Sequence, residues 1–212
     1  MTRVKICGIT NELDLQGAVD AGADAVGFIS GFPTSPRNLS LRKASSLISR
    51  TPPLVSSVLV TNVETLRAHF EGVVRQPPTA LQLYGDVSRF RKRLASLNSR
   101  LIRPILVGSP YESQLSPDRL EIFDALLTDT YKNGAFGGTG VTSNWKLCRE
   151  IRNRVSPLPL VLSGGLNSEN VAEAIRMVGP YAVDASSGVE ASPGKKDHSK
   201  VKDFVKIAKE TR

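Results

Sequence analysis

The sequence has few of the residues from which disulfide scaffolds, metal sites and membrane spans are built. Its 212 residues include only two cysteines, Cys7 and Cys148, which are too few for a disulfide framework and lack metal-ligand spacing. No apolar run approaches the roughly 18 to 20 residues that cross a bilayer. Met1 leads directly into the strand-like TRVKICGIT, with no apolar signal region. These absences predict a cytoplasmic protein with neither a metal nor a membrane partner.

Histidine is equally scarce, which bears on the kinds of catalysis open to the protein. The two histidines, His69 and His198, fall on predicted helices away from the strand ends. No His-based triad or metal site is visible.

The balance of charge is basic. The 28 lysines and arginines against 20 acidic residues give a net charge of +8. This charge could favour binding to a nucleic acid, an acidic membrane surface or a small anionic substrate. Because the basic residues are scattered along predicted helices and no nucleic-acid-binding motif appears, we expect no nucleic-acid partner. A salt-dependent shift of nucleic acid would revive that alternative.

Short β-rich runs alternate with helical patterns along the whole chain. The eight predicted strands are Val4–Cys7, Ala25–Ile29, Val55–Val60, Ala80–Leu83, Leu101–Val107, Ala125–Thr128, Pro159–Leu162 and Ala182–Asp184. This alternation predicts an α/β fold, a (β/α)8 TIM barrel formed by residues 1–212 as a single domain. The competing layout is an open doubly wound sheet, but CGITN after the first strand lacks the Gly-rich dinucleotide fingerprint.

Helix caps are readable between the strands. Asn11 with Asp14, and Ser40, are predicted to open the first two helices. Asn167 or Ser168 is predicted to begin a later helix that ends at Gly179.

In a barrel of this kind, function gathers where the strands end at their carboxyl side. The residues at those positions are Cys7, Arg37, Gln82, Asp129, Gly137–Gly140, Ser163–Leu166 and Asp184–Glu190. The Gly-rich turns after the seventh and eighth strands predict phosphate binding through backbone N–H groups, with Gly164, Gly165, Ser186, Ser187 and Gly188 as the contacting residues.

For several of the remaining candidate site residues, a purely structural role is an alternative to a functional one. Cys7 is either a small buried residue or a thiolate base or nucleophile, which would require a lowered pKa. Asp129 is either a general acid or a turn residue. Arg37 is either a guanidinium for a carboxylate or a solvated loop residue. Lys5, buried inside the barrel, needs a partner such as Asp184 or Asp129, whereas Cys148 is expected to serve packing alone.

Seven motifs in order along the chain resemble the phosphoribosylanthranilate isomerase family of (β/α)8 barrels. They are VKICGIT, GADAVGFI, SPR, LQLYGD, LLTDT followed by GGTG and a tryptophan, VLSGGLNSENV, and VDASSGVE with a lysine-rich tail.

The resemblance implies an Amadori rearrangement of N-(5′-phosphoribosyl)anthranilate in tryptophan biosynthesis, without a cofactor. Cys7 would be the general base at C2 of the sugar and Asp129 the general acid at the ring oxygen. Arg37 would hold the anthranilate carboxylate, with Gln82 and Asp184 beside the substrate, and the Gly-rich loops would hold the phosphate. The implied partner is a small phosphorylated aminosugar, and a homo-oligomer is possible. A related aminoaldose-phosphate isomerase with a broader or different substrate range is the alternative.

The chain departs from the family pattern in three places. Tyr84 stands where the family usually has histidine, so no role of that histidine transfers. The second loop, SGFPTSPRNLS, is less aromatic than usual, and TSNW replaces TFDW. These differences concern loop shape and substrate fit more than the proposed base and acid.

Overall fold

The fold is a closed ring of eight parallel strands with helices between them. The computed structural model describes residues 1–107, 115, 120–132, 135–136 and 143–212. The barrel strands are β1 (Arg3–Cys7), β2 (Ala25–Ile29), β3 (Ser56–Asn62), β4 (Ala80–Tyr84), β5 (Arg100–Val107), β6 (Ala125–Lys132), β7 (Leu160–Leu162) and β8 (Ala182–Ala185). Each pairs with its neighbours along the chain, and pairing of β1 with β8 closes the ring. The predicted (β/α)8 barrel is confirmed.

The helices lie between the strands in sequence. They are α1 (Glu12–Asp20), α2 (Leu41–Ile48), α3 (Val63–Ala68), α4 (Phe70–Arg75), α5 (Arg91–Leu94), α6 (Trp145–Val155), α7 (Val171–Val178) and α8 (His198–Glu210). Asn11 and Ser40 cap α1 and α2 as predicted, since each side chain accepts a backbone N–H of the first turn. In the part of the chain described, no helix has the length and apolarity that crossing a membrane requires.

The alternation of side chains along each strand divides the buried residues into two sets. Outward residues such as Val4, Ile6 and Phe28 join the large core between strands and helices, and Cys148 is buried there as expected. Inward residues form smaller apolar clusters inside the barrel. Because Cys7 and Asp129 stand at inward positions near the strand ends, the register itself directs both side chains into the barrel mouth.

Two predicted boundaries are wrong by three residues or more. The helix expected to begin at Asn167 or Ser168 begins at Val171, because Asn167 Oδ1 accepts the N–H groups of Glu169 and Asn170 in a separate turn before the helix. Strand β6, predicted to end at Thr128, continues to Lys132, so that Asp129 lies within the strand and pairs with Leu106 of β5.

The structure also contains a small antiparallel hairpin after β8 that the sequence analysis missed. Its strands are Glu190–Ser192 and Lys195–Lys196. The intervening Pro193-Gly194 pair, with Gly194 at φ 81°, is a turn signal that could have predicted it.

Candidate active site

The candidate site is a cavity of about 610 Å³ at the carboxyl ends of the barrel strands. Its wall contains every residue that the sequence analysis singled out for catalysis or binding: Cys7, Arg37, Gln82, Asp129, Gly164, Gly165, Asp184, Ser186, Ser187 and Gly188. Residues that are up to 181 positions apart, 188 less 7, therefore meet in one cavity. The Gly137–Gly140 turn lies outside the described residues.

A chain of hydrogen bonds crosses the floor of the cavity from β8 to β6. Lys5 Nζ donates to Asp184 Oδ1 at 3.0 Å and to Gln82 Oε1 at 3.1 Å. Gln82 Nε2 in turn donates to the Tyr84 hydroxyl oxygen at 3.3 Å, and that hydroxyl donates to Asp129 Oδ2 at 2.7 Å. The expected partner of Lys5 is thus Asp184. Burial lowers the pKa of Lys5, but the charges and hydrogen bonds of Asp184 and Cys7 together outweigh it and the net shift is upward, so Lys5 stays an ammonium.

Cys7 lies beside Lys5, above a glycine that makes room for both. A Cβ placed on Gly27 would come within 2.8 Å of Cys7 Sγ and 3.2 Å of Lys5 Cε. Burial raises the pKa of the Cys7 thiol, and although the charges of Lys5 and Lys196 act against this, the net shift is upward. The functional interpretation of Cys7 requires a lowered pKa, whereas the shift in this structure is upward and the thiol is neutral at pH 7.

Arg37 is held by a carboxylate that the sequence analysis did not identify as its partner. Its Nε and Nη2 donate to the two oxygens of Glu190, at 2.7 Å each, and Lys196 Nζ donates to Glu190 Oε1 at 3.0 Å. Burial raises the pKa of Glu190, but the hydrogen bonds from Arg37 and the charge of Lys196 outweigh it and make the net shift downward. Arg37 is therefore a buried, oriented residue and not a solvated one. It still lines the cavity, and neither bond to Glu190 uses Nη1.

The two loops predicted to bind phosphate pack directly on each other. Gly164 and Gly165 have φ values of 95° and 66°, a conformation that favours glycine. A Cβ on Gly188 would lie only 2.0 Å from the carbonyl oxygen of Leu166. Within the described part of the chain, the buried Ser186 Oγ has no hydrogen-bond partner. An unsatisfied hydroxyl in the wall of a cavity is suited to an anionic oxygen of a ligand.

Five apolar residues line the cavity at and near the second loop, beside the polar Thr34 and Ser35. The apolar residues are Ile29, Phe32, Pro33, Pro36 and Val60. The rings of Phe32 and Tyr84 meet edge to face with centroids 5.4 Å apart. This wall can accommodate a flat apolar group, and Arg37 lies at its rim to receive a negative charge.

The histidines lie apart from this cavity. His69 is exposed between α3 and α4, and His198 is exposed at the start of α8, with Nε2 3.1 Å from Asp14 Oδ1. Over the ranges that the structure describes, no three His, Cys, Asp or Glu side chains form a group that could hold a metal ion.

Comparison with known proteins agrees with this geometry. The sequence profile of the N-(5′-phosphoribosyl)anthranilate (PRA) isomerase family matches residues 4–207. The chain belongs to this family. A PRA isomerase of Halobacterium salinarum is 43% identical over 215 residues, which cover 100% of this chain and 97% of the relative. As a member of the PRA isomerase family, the chain is an enzyme, an isomerase of tryptophan biosynthesis.

Solved PRA isomerases share the fold. The Thermotoga maritima enzyme has a TM-score of 0.83 and 40% identity, with 99% of each chain covered. Another PRA isomerase structure holds reduced 1-(o-carboxyphenylamino)-1-deoxyribulose 5-phosphate, with a TM-score of 0.80, 38% identity and 99% of each chain covered. That ligand carries a phosphate, a carboxylate and an aromatic ring.

Proposed function

We propose that the chain converts N-(5′-phosphoribosyl)anthranilate to 1-(o-carboxyphenylamino)-1-deoxyribulose 5-phosphate, with Cys7 as general base and Asp129 as general acid. The observation that carries the proposal is the meeting of both side chains in one cavity with an oriented arginine and two packed Gly-rich loops. In this assignment Gly164, Gly165, Ser186, Ser187 and Gly188 bind the phosphate. Arg37 binds the anthranilate carboxylate, and the apolar wall at Phe32 receives its ring.

The reaction needs one proton delivered and one removed. Asp129 protonates the furanose ring oxygen, the bond from that oxygen to C1 breaks, and a protonated imine forms between C1 and the anthranilate nitrogen. Cys7 then removes the proton from C2, and the electron pair of that C–H bond forms a C1=C2 double bond while the imine nitrogen is neutralised. The resulting enolamine tautomerises to the aminoketose. Buried groups at fixed positions suit such transfers, because each must lie within hydrogen-bond reach of its target.

The scheme must also explain how the neutral Cys7 thiol becomes a base. Because burial raises the pKa of Cys7, a base at this position needs a nearby positive charge to favour the thiolate. Lys5 supplies one such charge permanently, and the protonated imine supplies a second one next to C2 once the ring has opened. As these charges favour the thiolate, the thiol proton is released to solvent. The thiolate then accepts the C2 proton, which the same protonated imine makes acidic.

Substitution of the two groups tests the assignment. Cys7→Ser and Asp129→Asn should each lower kcat by about 10²- to 10⁴-fold, the usual contribution of a positioned acid or base, while unfolding temperatures stay near that of the unmodified enzyme. The measurement is turnover of freshly generated phosphoribosylanthranilate in a coupled assay. Cys148→Ala and Asp124→Asn are the matched controls, since Cys148 lies in the outer core and Asp124 precedes β6 at the opposite end of the barrel. Near-normal turnover by either cavity variant would contradict its role.

A related aminoaldose-phosphate isomerase is the second candidate, because a barrel phosphate site by itself does not select the rest of the substrate. The same assay with an aminoaldose phosphate of histidine biosynthesis separates the two. Turnover restricted to the anthranilate substrate supports the first candidate. Comparable kcat/KM for both substrates supports a broader range. A solved structure of monomers generated from the dimeric T. maritima enzyme is 37% identical to this chain, and on that likeness a homodimer is the assembly we propose.

A further inference from the structure

The hydrogen bonds across the cavity floor have only one possible direction. Lysine carries donors and no acceptor, so the group of Gln82 that faces Lys5 must be the carbonyl oxygen Oε1. The amide nitrogen of Gln82 then faces Tyr84 and donates to its oxygen. The hydroxyl proton of Tyr84 is left for Asp129 Oδ2, 2.7 Å away. The orientation of Lys5 thus makes the Tyr84 hydroxyl the donor, and Asp129 Oδ2 the acceptor, of this bond.

Tyr84 is suited to remain the donor of that bond. Burial raises the pKa of Tyr84 well above its ordinary value, and the negative charge of Asp129 raises it further. The phenol therefore keeps its proton throughout the pH range in which enzymes work. Its ring is held edge to face against Phe32, so the hydroxyl is presented from a fixed position.

We propose that Tyr84 is a positioning residue for the general acid: by donating to Oδ2 of Asp129, it holds the carboxyl group in the orientation from which its proton is transferred. The inference rests on the proposed function, which makes Asp129 the acid. Histidine is the usual residue of the family at this position, so the phenol is a feature of this chain that the family pattern does not supply.

Tyr84→Phe removes the hydroxyl and keeps the ring. Because a donor to the carboxylate stabilises its charged form, the variant should protonate Asp129 more readily, and one limb of the pH profile of kcat should move to higher pH by about one unit. We expect kcat at pH 7 to fall about tenfold, since the acid is less well aligned. KM should change less than about threefold, because Tyr84 makes no part of the proposed phosphate or carboxylate sites.

Other titratable groups lie next to these hydrogen-bonded residues, and their titration must be distinguished from that of Asp129. Among the described residues they are Cys7 and Lys5 on β1 and Asp184 on β8. Tyr84→Phe leaves all three in place, so only one limb of the profile should move. Tyr181→Phe is the matched control, because it removes the same atom from an exposed ring before β8, at the opposite end of the barrel. Tyr84→His, which restores an N–H donor, should recover part of kcat and return the limb toward its original pH.

A second readout does not depend on turnover. In substrate-free enzyme with ¹³C-labelled aspartate, the titration midpoint of the Asp129 carboxyl should rise in Tyr84→Phe and stay unchanged in Tyr181→Phe. If Tyr84→Phe does not fold, Gln82→Met serves in its place, because it removes the amide that orients the hydroxyl. A midpoint that moves in the same direction supports the proposal.

The two hypotheses can fail separately. An unmoved titration midpoint, or a loss of kcat in Tyr84→Phe with both limbs of the profile unmoved, would overturn the positioning role and leave the acid role of Asp129 intact. Full activity of Asp129→Asn would overturn the acid role, and with it the catalytic part of this inference.

Discussion

Cys7 is a protonated thiol in a cavity whose proposed chemistry requires a thiolate. Desolvation disfavours the charged form of any buried group, and the nearby carboxylate of Asp184 adds to that effect. Lys5 and Lys196 reduce the upward shift without reversing it. A buried thiol with a raised pKa reacts slowly with oxidants and alkylating agents, because these reagents attack the thiolate.

Alkylation measures this protonation state directly. With iodoacetamide and no substrate, modification of Cys7 should be slow at pH 7 and should rise with pH to a midpoint above about 8.5, the ordinary cysteine value, because a raised pKa leaves less thiolate at every pH. Mass spectrometry of the modified peptide gives the rate. Cys7→Ser reports the background from Cys148, whose pKa burial raises to about 11. A midpoint below about 8 would show that the charge of Lys5 outweighs burial.

Single residues were predictable where the strand pattern alone determined them. Cys7 and Asp129 were found because a strand end and a period of two direct a side chain to the barrel mouth. The upward shift in the pKa of Cys7 was not predictable, because it depends on the burial of the thiol and on Asp184 from the far end of the chain. The same holds for the bond between Tyr84 and Asp129, which joins two strands 45 residues apart.

At the scale of elements, the loops after β7 and β8 act as one unit. Gly188, in the short 3₁₀ turn Ser187–Val189, lies against the carbonyl of Leu166 so closely that no side chain fits between them. Asn170 also stabilises the loop after β7, because its Nδ2 donates to the carbonyl of Gly165 at 2.9 Å. The amide groups proposed to bind phosphate are thus arranged by contact between the loops themselves.

Gly188→Ala should separate the two loops. The added methyl would lie 2.0 Å from a backbone oxygen, a distance that only a backbone shift can relieve, and displacement of a positioned group by about 1 Å costs roughly 10- to 100-fold in kcat/KM. We expect most of the loss in KM, together with weaker inhibition by inorganic phosphate. Steady-state kinetics check both.

The control for that substitution is Gly72→Ala. An added Cβ at Gly72 meets nothing within 4 Å, so kinetics should stay unchanged and stability should rise slightly, as alanine favours helix over glycine. If Gly188→Ala bound substrate and phosphate normally, the contact between the loops would have no part in binding.

Elements were predictable in their type and order more than in their ends. All eight barrel strands lie where the apolar runs indicated. The start of α7 was wrong because Asn167 is a good cap by composition, yet its oxygen is used in the turn before the helix. The hairpin at Glu190–Lys196 was missed because its short strands are polar and lack an apolar face.

At the scale of the whole molecule, that hairpin joins the end of the chain to its beginning. Lys196 N donates to Asp14 Oδ2 at 2.9 Å, and Thr10 Oγ1 donates to the carbonyl of Gly194 at 2.6 Å. Glu190 adds the ion pairs with Arg37 and Lys196. The first two βα loops are thereby fastened to the last one, in addition to the pairing of β1 with β8.

Glu190→Gln should weaken the attachment of the hairpin to the first two βα loops. Two buried cations, Arg37 and Lys196, would lose their shared counter-charge, and removal of one partner from a buried pair costs about 3 to 5 kcal/mol of unfolding free energy. Chemical denaturation at pH 7 measures the loss. Glu71→Gln is the matched control: Glu71 pairs with Arg93 on the surface, with side-chain exposures of 72% and 52%, and should change stability by less than about 1 kcal/mol.

The pH dependence of that loss follows from the sign of the shift. The pKa of Glu190 is lower in the folded protein than in the unfolded chain, so its contribution is complete above the ordinary glutamate pKa of about 4.3 and disappears as the pH falls through the folded value. The difference in stability between the unmodified enzyme and Glu190→Gln should therefore shrink below about pH 4. A constant difference down to pH 3 would contradict the lowered pKa.

The closed barrel was predictable from the alternation of strands and helices, since parallel neighbours joined by right-handed crossovers leave few other layouts. The charge distribution was not. The buried cations Lys5, Arg37 and Lys196 are each hydrogen-bonded to a buried carboxylate, Asp184 or Glu190. Most of the net charge of +8 therefore lies outside this group, and no bulk count could reveal these pairs.

The ion pair between Arg37 and Glu190 can form only late in the synthesis of the chain. The two residues are 153 positions apart, and translation proceeds from the amino terminus, so the arginine is made long before its carboxylate partner exists. A nascent chain can form its first βα units but cannot orient the arginine until the last hairpin has been synthesised and docked. The proposed carboxylate site is thus completed only when synthesis of the chain is nearly finished. A fragment ending before Glu190 would contain Arg37 without the carboxylate that orients it.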